Sequence, residues 1–380
     1  MTEVGNRALL PDGLRDGLPP DAGYEAEIVS RLLGTFGRYG YDRVTPPLVE
    51  FEDTLLEGAA RSIATSTFRL MDPVSQRMMG VRADMTLQVA RIATTRLANA
   101  PRPLRLAYAG QVLRVRGSQL RPEREFRQAG VELIGAPDSA ADAEVISLAS
   151  AALGEAGVSD ISVDINLPTL VPALCEILRL DESAVSDLRV ALDRKDVEAV
   201  RALDEGGDLF SALLGATGPA ADALSRLATI DLPTPAKQER DRLTEVVDLV
   251  QAALPDIVIT IDPVEHRGFE YHSGLSFTLF ARGVRGEIGR GGRYRAGGEE
   301  SATGFSLFLD SIMRAVPVPK IQERVFLPRG TAPSETAAIR ADGWIGVAGL
   351  TSVTDTGREA RRLGCTHILE NGRPVALDDD

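Results

Sequence analysis

The sequence predicts an α+β fold in which an antiparallel sheet is flanked by helices. Near the N-terminus, apolar side chains recur at the spacing of one helix face: Tyr24, Ile28, Leu32, Leu33 and Phe36. Residues 160–165 (DISVDI) alternate between polar and apolar, as a half-buried strand does. Strand patterns also follow one another without a helix after each, which favours an antiparallel sheet over a doubly wound parallel one.

The first part of the chain predicts elements in a clear order. Asp21 can cap the first helix, and Pro46 with Pro47 should keep the segment after the first strand extended. Two further helices are expected over residues 86–97 and 141–156. Strands are expected over residues 41–44, 69–71, 78–81 and 104–108, and over the two arms of a hairpin, 108–116 and 124–134.

The remainder of the chain differs in amino-acid composition. Residues 168–253 are rich in Ala, Leu, Asp and Arg, and they predict a helical insertion into a core formed by residues 1–167 and 254–316. Residues 317–380 are too few for a typical domain of about 100 residues, so we expect a small C-terminal α/β appendage. In the returning core we expect strands over 257–261 and 276–280, a glycine-rich turn at 289–292 and a helix over 304–315.

Composition and charge restrict the class of protein. The chain has 380 residues, a formal net charge of −13 and 44% hydrophobic residues. The acidic surplus argues against a protein whose main task is binding nucleic acid, because such proteins neutralise phosphates with Lys and Arg. No apolar run is long enough to span a bilayer, and the N-terminus lacks the layout of a secretory signal. We therefore expect a cytoplasmic chain without a membrane partner.

Neither a metal site nor a cofactor is expected. Cys175 and Cys365 stand far apart and outside any CxxC pattern, and no P-loop is present. One segment departs from the acidic total, because residues 114–127 carry five arginines. This segment is either a solvated hairpin with Glu123 and Glu125 interleaved, or a surface for an anionic small molecule or RNA.

Three short segments look like parts of one amino-acid-binding pocket: residues 126–135 (FRQAGVELIG), 266–274 (HRGFEYHSG) and 289–294 (GRGGRY). They resemble the class II catalytic core of histidyl-tRNA synthetase, and the resemblance covers roughly residues 8–315. The helix, strand and proline order near the N-terminus is similar to the first class II motif, which builds the dimer interface in that family. The resemblance therefore implies a class II synthetase-like sheet and self-association through residues 10–51.

Candidate binding residues follow from chemistry and from this resemblance. An amino-acid ammonium group needs a carboxylate and a further acceptor, which Asp84, Thr86 and Gln128 could supply. The resemblance implies that Glu132 faces the imidazole ring of histidine. Taken alone, Glu132 could equally lie on the solvent face of a strand. By the same resemblance, Arg114 stands at the position of an arginine that binds the α-phosphate, and Arg267 at that of an arginine that assists activation. Tyr271 and His272 stand at the positions of a pair that closes over the imidazole ring.

Some of these positions have plainer interpretations or depart from the synthetase. Arg267 could simply pair with Glu270. His272 replaces a tyrosine, and Met85 replaces a glycine beside the residues that grip the α-amino group. These departures leave alternatives open: histidine occupies this pocket, or the pocket is a relic and the effector binds at a partner interface or on a catalytic partner chain.

The positions that hold ATP in the synthetase are also altered. Arg116 stands where the family has a glutamate that reads adenine, and Phe308 occupies a small-residue position. Asp310 and Ser311 replace a Glu-Arg pair whose arginine lies at the adenine ring and the γ-phosphate. Losing a preorganised positive charge typically costs orders of magnitude in rate. We therefore expect no catalytic residues and no tRNA partner.

A synthetase core with these losses, an acidic surface and a short C-terminal region resembles the regulatory subunit of ATP phosphoribosyltransferase. That resemblance implies a hetero-oligomer with a short-form catalytic subunit, which needs this chain for the first step of histidine biosynthesis. It also implies a part in feedback inhibition, with histidine as the candidate effector. Two alternatives stay open: a functional histidyl-tRNA synthetase, and another amino-acid-binding paralogue of the synthetase.

Overall fold

A computed structural model gives the fold of the chain. It describes residues 9–57, 61–118, 121–203, 205–265, 272–318 and 322–377. The chain divides into two compact units, Met1–Pro317 and Val318–Asp380.

The first unit is an α+β structure, as predicted. Among its described residues, twelve strands form a nine-stranded sheet of order β1-β5-β6-β12-β11-β10-β7-β9-β8 and a three-stranded sheet of order β2-β4-β3. The strands are β1 (Asp42–Arg43), β2 (Val49–Phe51), β3 (Phe68–Met71), β4 (Met78–Val81), β5 (Leu104–Leu113), β6 (Glu125–Ile134), β7 (Ile161–Asn166), β8 (Gly218–Pro219), β9 (Val258–Asp262), β10 (His272–Ala281), β11 (Gly289–Ala296) and β12 (Glu300–Phe308).

The helices of this unit lie between and beside the strands. They are α1 (Asp21–Arg38), α2 (Glu52–Leu55), α3 (Arg61–Ser66), α4 (Thr86–Thr95), α5 (Ser139–Ala156), α6 (Leu170–Ile177), α7 (Glu182–Asp193), α8 (Val197–Arg201), α9 (Gly207–Gly215), α10 (Ala220–Thr229), α11 (Thr234–Ala253) and α12 (Leu309–Ala315).

The large sheet is antiparallel through its centre, from β5 across to β7. Two pairings near its edges are parallel, β1 with β5 and β7 with β9. The prediction of an antiparallel sheet is therefore correct for the centre and incomplete at the flanks. Residue patterns identify a strand, but its neighbour is chosen by contacts between distant parts of the chain.

Two predicted elements are wrong. Residues 289–292 begin strand β11 instead of forming a turn, and the helix expected over 304–315 is strand β12 followed by the short helix α12. The glycines have a tertiary role, because a Cβ on Gly291 would lie 2.2 Å from the carbonyl oxygen of Gly304 on the neighbouring strand. Glycine here permits close strand contact and does not reverse the chain.

Alternation along the strands gives the sheet two different faces. One face carries apolar side chains of the main core, including Val131, Val163, Phe277 and Phe305. The other face carries polar side chains in cross-strand register, one row being Asp164, Thr278, Arg290, Ser306 and Tyr108, with Gly130 between the last two. The same strands therefore build both the core and a polar surface.

The helical stretch between β7 and β9 is tied to the sheet by a buried ion pair. Asp142 on α5 is fully buried and pairs with Arg242 on α11, at 2.8 Å between Nη2 and Oδ2. It also pairs with Arg293 on β11, at 3.0 Å between Nη2 and Oδ1. A buried carboxylate needs such partners, because an unpaired charge in the interior costs several kcal/mol.

The second unit is a small α/β structure. In its described part, strands β13 (Arg324–Leu327), β14 (Ile345–Ala348) and β15 (His367–Glu370) are parallel, in the order β14-β13-β15, and β16 (Arg373–Ala376) adds an antiparallel edge. Helices α13 (Pro333–Ala341) and α14 (Thr356–Arg362) complete it, and each contributes to a separate apolar cluster.

Two features are absent from the part of the chain that the structure describes. None of the helices there is long and apolar enough to cross a membrane. No group of three or more His, Cys, Asp or Glu residues there is arranged to hold a metal ion.

Candidate functional site

A cavity of about 570 Å³ opens on the polar face of the large sheet. This volume lies within the range of about 300–1,000 Å³ that is typical of small-molecule sites. A narrow recess continues towards Glu132 and shares Asp84, Thr86 and Arg290 with the cavity. Four of the eight candidate residues line the cavity or its recess: Asp84, Thr86, Arg114 and Glu132.

Glu132 lies at the end of this recess and is only 1% exposed. Its carboxyl group accepts hydrogen bonds from the hydroxyl groups of Tyr294, at 2.9 Å, and Tyr108, at 3.2 Å. The burial excludes the interpretation of Glu132 as a solvent-face residue. Burial raises the pKa of Glu132 to about 8, against the opposing effect of hydrogen bonds from Tyr294, Thr86 and Tyr108. Such a carboxyl group suits a ligand that brings N–H donors.

Room for this carboxyl group depends on a glycine in the neighbouring strand. Gly304 stands opposite Glu132 in the register of β12 with β6. A Cβ on Gly304 would lie 2.0 Å from Oε2 of Glu132, which is a severe overlap. Glycine at 304 is therefore a requirement of the recess itself.

Gln128 is fixed in place and orients Asp84. Its Nε2 donates to Oδ2 of Asp84, at 2.9 Å, and to the hydroxyl oxygen of Ser306. Its Oε1 accepts the backbone N–H of Met85, at 3.1 Å. Asp84 in turn accepts the backbone N–H of Thr86, at 2.8 Å. The result is a half-buried carboxylate held at the cavity wall, as an ammonium-binding site requires.

Met85 does not enter the site. Its side chain is fully buried in an apolar cluster with Val89, Tyr108 and Phe308. The replacement of the synthetase glycine therefore adds to the core beneath the site, and Asp84 and Thr86 on either side still line the cavity.

Arg114 lines the cavity, where its Nε donates to the carbonyl oxygen of Ala83 at 3.2 Å. Burial, followed by the nearby Arg290, lowers the pKa of Arg114 to about 10. A guanidinium group in this environment is suited to an anionic ligand group.

The last three candidates are His272, which begins β10, and Arg267 and Tyr271, which precede that strand in the sequence. His272 is the first residue of that strand and is buried beside Gly292, where a Cβ would lie 2.6 Å from Cδ2 of the imidazole. Arg267 and Tyr271 lie outside the described residues. Their proposed roles stay predictions.

The altered ATP positions have partners of their own. Asp310 is buried and forms an ion pair with Arg121, at 3.2 Å between Oδ2 and Nε. The guanidinium group of Arg121 also lies over the ring of Phe308, at 3.8 Å. Ser311 is buried and accepts a hydrogen bond from Nη2 of Arg314, at 3.1 Å. Arg116 is exposed at the cavity.

Comparisons with known proteins identify the family. The family model of histidyl-tRNA synthetase matches residues 13–312. An ATP phosphoribosyltransferase regulatory subunit from Rhodospirillum centenum is 57% identical over 374 residues, which cover 98% of this chain and 97% of the relative. The chain belongs to the family of ATP phosphoribosyltransferase regulatory subunits. This family retains the synthetase fold, as the resemblance of the sequence implied.

Solved structures support the same fold. A structure described as an ATP phosphoribosyltransferase regulatory subunit/histidyl-tRNA synthetase, from Bacillus halodurans, matches with a TM-score of 0.82 and 27% identity, covering 93% of this chain and 96% of the other. A histidyl-tRNA synthetase from Nostoc matches with a TM-score of 0.77, over 95% of this chain and 90% of the other. At 17% identity, this second match shows the fold alone.

Sequence reasoning missed several residues of the site. Tyr108, Tyr294 and Ser306 complete the polar network around Glu132 and Gln128. Their signal was the alternation of each strand, because every second residue on these strands points to the polar face. That signal becomes useful only when the strand order is known.

Proposed function

We propose that this chain is the non-catalytic regulatory subunit of an ATP phosphoribosyltransferase and acts in histidine biosynthesis. A short-form catalytic subunit needs it for activity and responds through it to histidine. The observation that carries this proposal is the 57% identity to such a regulatory subunit over 98% of this chain. The pairing of Asp310 with Arg121 supports a role without aminoacylation, because these side chains hold each other where the synthetase holds ATP.

Histidine is the effector that we propose for the cavity, whose volume of about 570 Å³ admits a free amino acid. Glu132 would accept an N–H of the imidazole ring, and Asp84 with Thr86 would bind the ammonium group. Arg114, which also lines the cavity, would bind the ligand carboxylate. The support for this assignment is the chemistry of the described groups, which provide hydrogen-bond acceptors and a cation.

A functional histidyl-tRNA synthetase is the second candidate, favoured by the family-model match over residues 13–312. Aminoacylation requires ATP to be bound and activated, however, and Ser311 takes the place of an arginine for that purpose. The two candidates differ in whether the isolated chain activates histidine.

The test of the proposed function is reconstitution. The chain is co-expressed with a short-form ATP phosphoribosyltransferase catalytic subunit, and each protein is also prepared alone. We expect phosphoribosyl transfer to be strongly stimulated in the complex and to decline when histidine is added. A catalytic subunit that is equally active alone, under conditions where the complex forms, would refute the proposal.

A further inference from the structure

A chain of hydrogen bonds connects Asp84 with Glu132 across the polar face of the large sheet. Gln128 donates to Asp84 and to the hydroxyl oxygen of Ser306. The hydroxyl groups of Ser306 and Tyr108 lie 3.0 Å apart, and that of Tyr108 lies 3.2 Å from Oε1 of Glu132. The two carboxyl groups are therefore linked through three side chains from three strands. We call Gln128, Ser306 and Tyr108 the relay.

The backbone fixes the direction of the relay at Gln128. A backbone N–H can only donate, so the N–H of Met85 requires Oε1 of Gln128 as its acceptor, at 3.1 Å. The two N–H bonds of Gln128 are then directed at Oδ2 of Asp84, at 2.9 Å, and at Ser306. The orientation of this side-chain amide is therefore set by its neighbours.

The hydroxyl groups of the relay follow in order, because each has a single hydrogen. The oxygen of Ser306 accepts from Gln128, so its hydrogen is free to donate to the oxygen of Tyr108. Tyr108 then donates to Oε1 of Glu132. The opposite order would leave the hydrogen of buried Ser306 without an acceptor among the described residues, which is unfavourable.

Two other hydroxyl groups are directed at the same carboxyl group. Tyr294 donates to Oε2 of Glu132, at 2.9 Å. Thr86 hydrogen-bonds Glu132 and also lies 3.3 Å from the hydroxyl group of Tyr108, so a branch through Thr86 ends at the same place. The hydrogens of these side chains face Glu132 and leave acceptors for a ligand. The ligand group that matches this arrangement is an N–H donor.

We propose that Ser306 is a positioning residue that directs the hydroxyl group of Tyr108 to Glu132 and thereby makes the recess selective for a ligand N–H donor. Without the Ser306 hydroxyl group, one N–H of Gln128 loses its acceptor and becomes a competing donor beside the recess, which Ser306 lines. The relay is a property of the ligand-free chain, whereas the choice of histidine as the ligand rests on the proposed function.

The titration of Glu132 in the ligand-free chain tests the relay. Urea unfolding is measured between about pH 5 and about pH 10 for the wild type, Ser306→Ala, Glu132→Gln and the double variant. The difference between chains with and without Glu132→Gln isolates the titration of Glu132. We expect its pKa to rise by about 0.5 to 1 in Ser306→Ala, because a donor that faces the carboxylate is lost. The variant leaves unchanged the other titratable or charged groups around Glu132, which include Asp84, Tyr108, Tyr294 and Arg290.

Three further changes make this test specific. Tyr108→Phe removes the link between Ser306 and Glu132, so Ser306→Ala should have no further effect on the titration in that background. Ser306→Thr keeps the hydroxyl group and should titrate as the wild type does. Ser301→Ala is the matched control, because Ser301 also lies on β12 but its hydroxyl group accepts from Arg293.

Ligand selectivity tests the consequence for the recess. Calorimetry compares histidine with thiazolylalanine, whose ring has a similar shape and an acceptor nitrogen but no N–H group. We expect the wild type to prefer histidine about tenfold or more, and Ser306→Ala to lose about three- to tenfold of that preference.

The outcomes separate the relay from the proposed function. A raised pKa of Glu132 in Ser306→Ala that is absent from Ser301→Ala and from the Tyr108→Phe background supports the relay. An unchanged pKa overturns it, and so does an equal rise in Ser306→Thr or in the Tyr108→Phe background. A raised pKa with an unchanged preference for histidine overturns the role in selectivity. If neither amino acid binds, histidine as the effector and the role in selectivity are both wrong, and the titration still decides the relay.

Discussion

Replacing Glu132 by glutamine removes a titrating group from the interior while nearly preserving its shape. Glu132 is 1% exposed, and its pKa is raised from 4.5 to about 8. The two values differ by about 3.5, and each pH unit corresponds to about 1.36 kcal/mol. Proton binding by Glu132 is therefore linked to on the order of 5 kcal/mol of folding free energy.

The sign of this linkage is the reverse of that for a salt-bridged carboxylate. The folded chain holds the proton on Glu132 more tightly than the unfolded chain does. The stabilising contribution is therefore fully present below about pH 4.5 and is lost as the pH rises through about 8. The Glu132→Gln variant lacks this loss, because glutamine does not titrate.

Urea unfolding at several values between about pH 5 and about pH 9 measures the effect. We expect the stability of the wild type to fall relative to Glu132→Gln by several kcal/mol across this range. Glu245→Gln, at an exposed position on α11, is the matched control for the loss of one carboxyl group. Parallel curves for the wild type and Glu132→Gln would show that Glu132 is ionised throughout, and the argument from burial would then be wrong.

Three further predictions concern ligand, chemistry and assembly. Glu132→Ala should weaken histidine binding about tenfold or more in calorimetry, since leaving a buried N–H of the ligand without its acceptor costs about 1–3 kcal/mol; unchanged affinity and unchanged feedback would exclude the recess as the histidine site. The purified chain should not exchange pyrophosphate into ATP in the presence of histidine, because Ser311 and Arg116 replace ATP-binding residues; exchange at rates typical of a synthetase would restore the enzymatic alternative. The chain should self-associate through residues 10–51, where Leu10, Leu18 and Leu48 are exposed; light scattering that finds only monomer at micromolar concentration would contradict this.

The site shows how far local patterns reach. The resemblance singled out Glu132, the chemistry of an ammonium-binding site singled out Gln128, and the structure places both side chains on the polar face of β6. The sequence could not show that Tyr108 and Tyr294 donate to Glu132, because these residues come from two other strands. Nor could it show that Arg121 pairs with Asp310, since 189 positions of sequence separate two groups that only the folded sheet brings together.

The sequence by itself determined the α+β class and the synthetase-like core. Helix α1, strand β7 and the hairpin of β5 and β6 are confirmed, because each depends on the spacing of residues that are close in the chain. The family could also be recognised from short segments, since a pocket for an amino acid restricts which residues can line it.

Only the tertiary structure decided the parallel edges of the sheet, the strand at residues 289–296 and the short helix at Leu309–Ala315. Gly291 looks like a turn residue in a single sequence, yet the reason for glycine there is the close approach of β11 to Gly304 on β12. The raised pKa of Glu132 likewise arises from burial by neighbouring strands. Local spacing determines which residues can form a strand, but the exclusion of water and the contacts across strands depend on parts of the chain that meet only after folding.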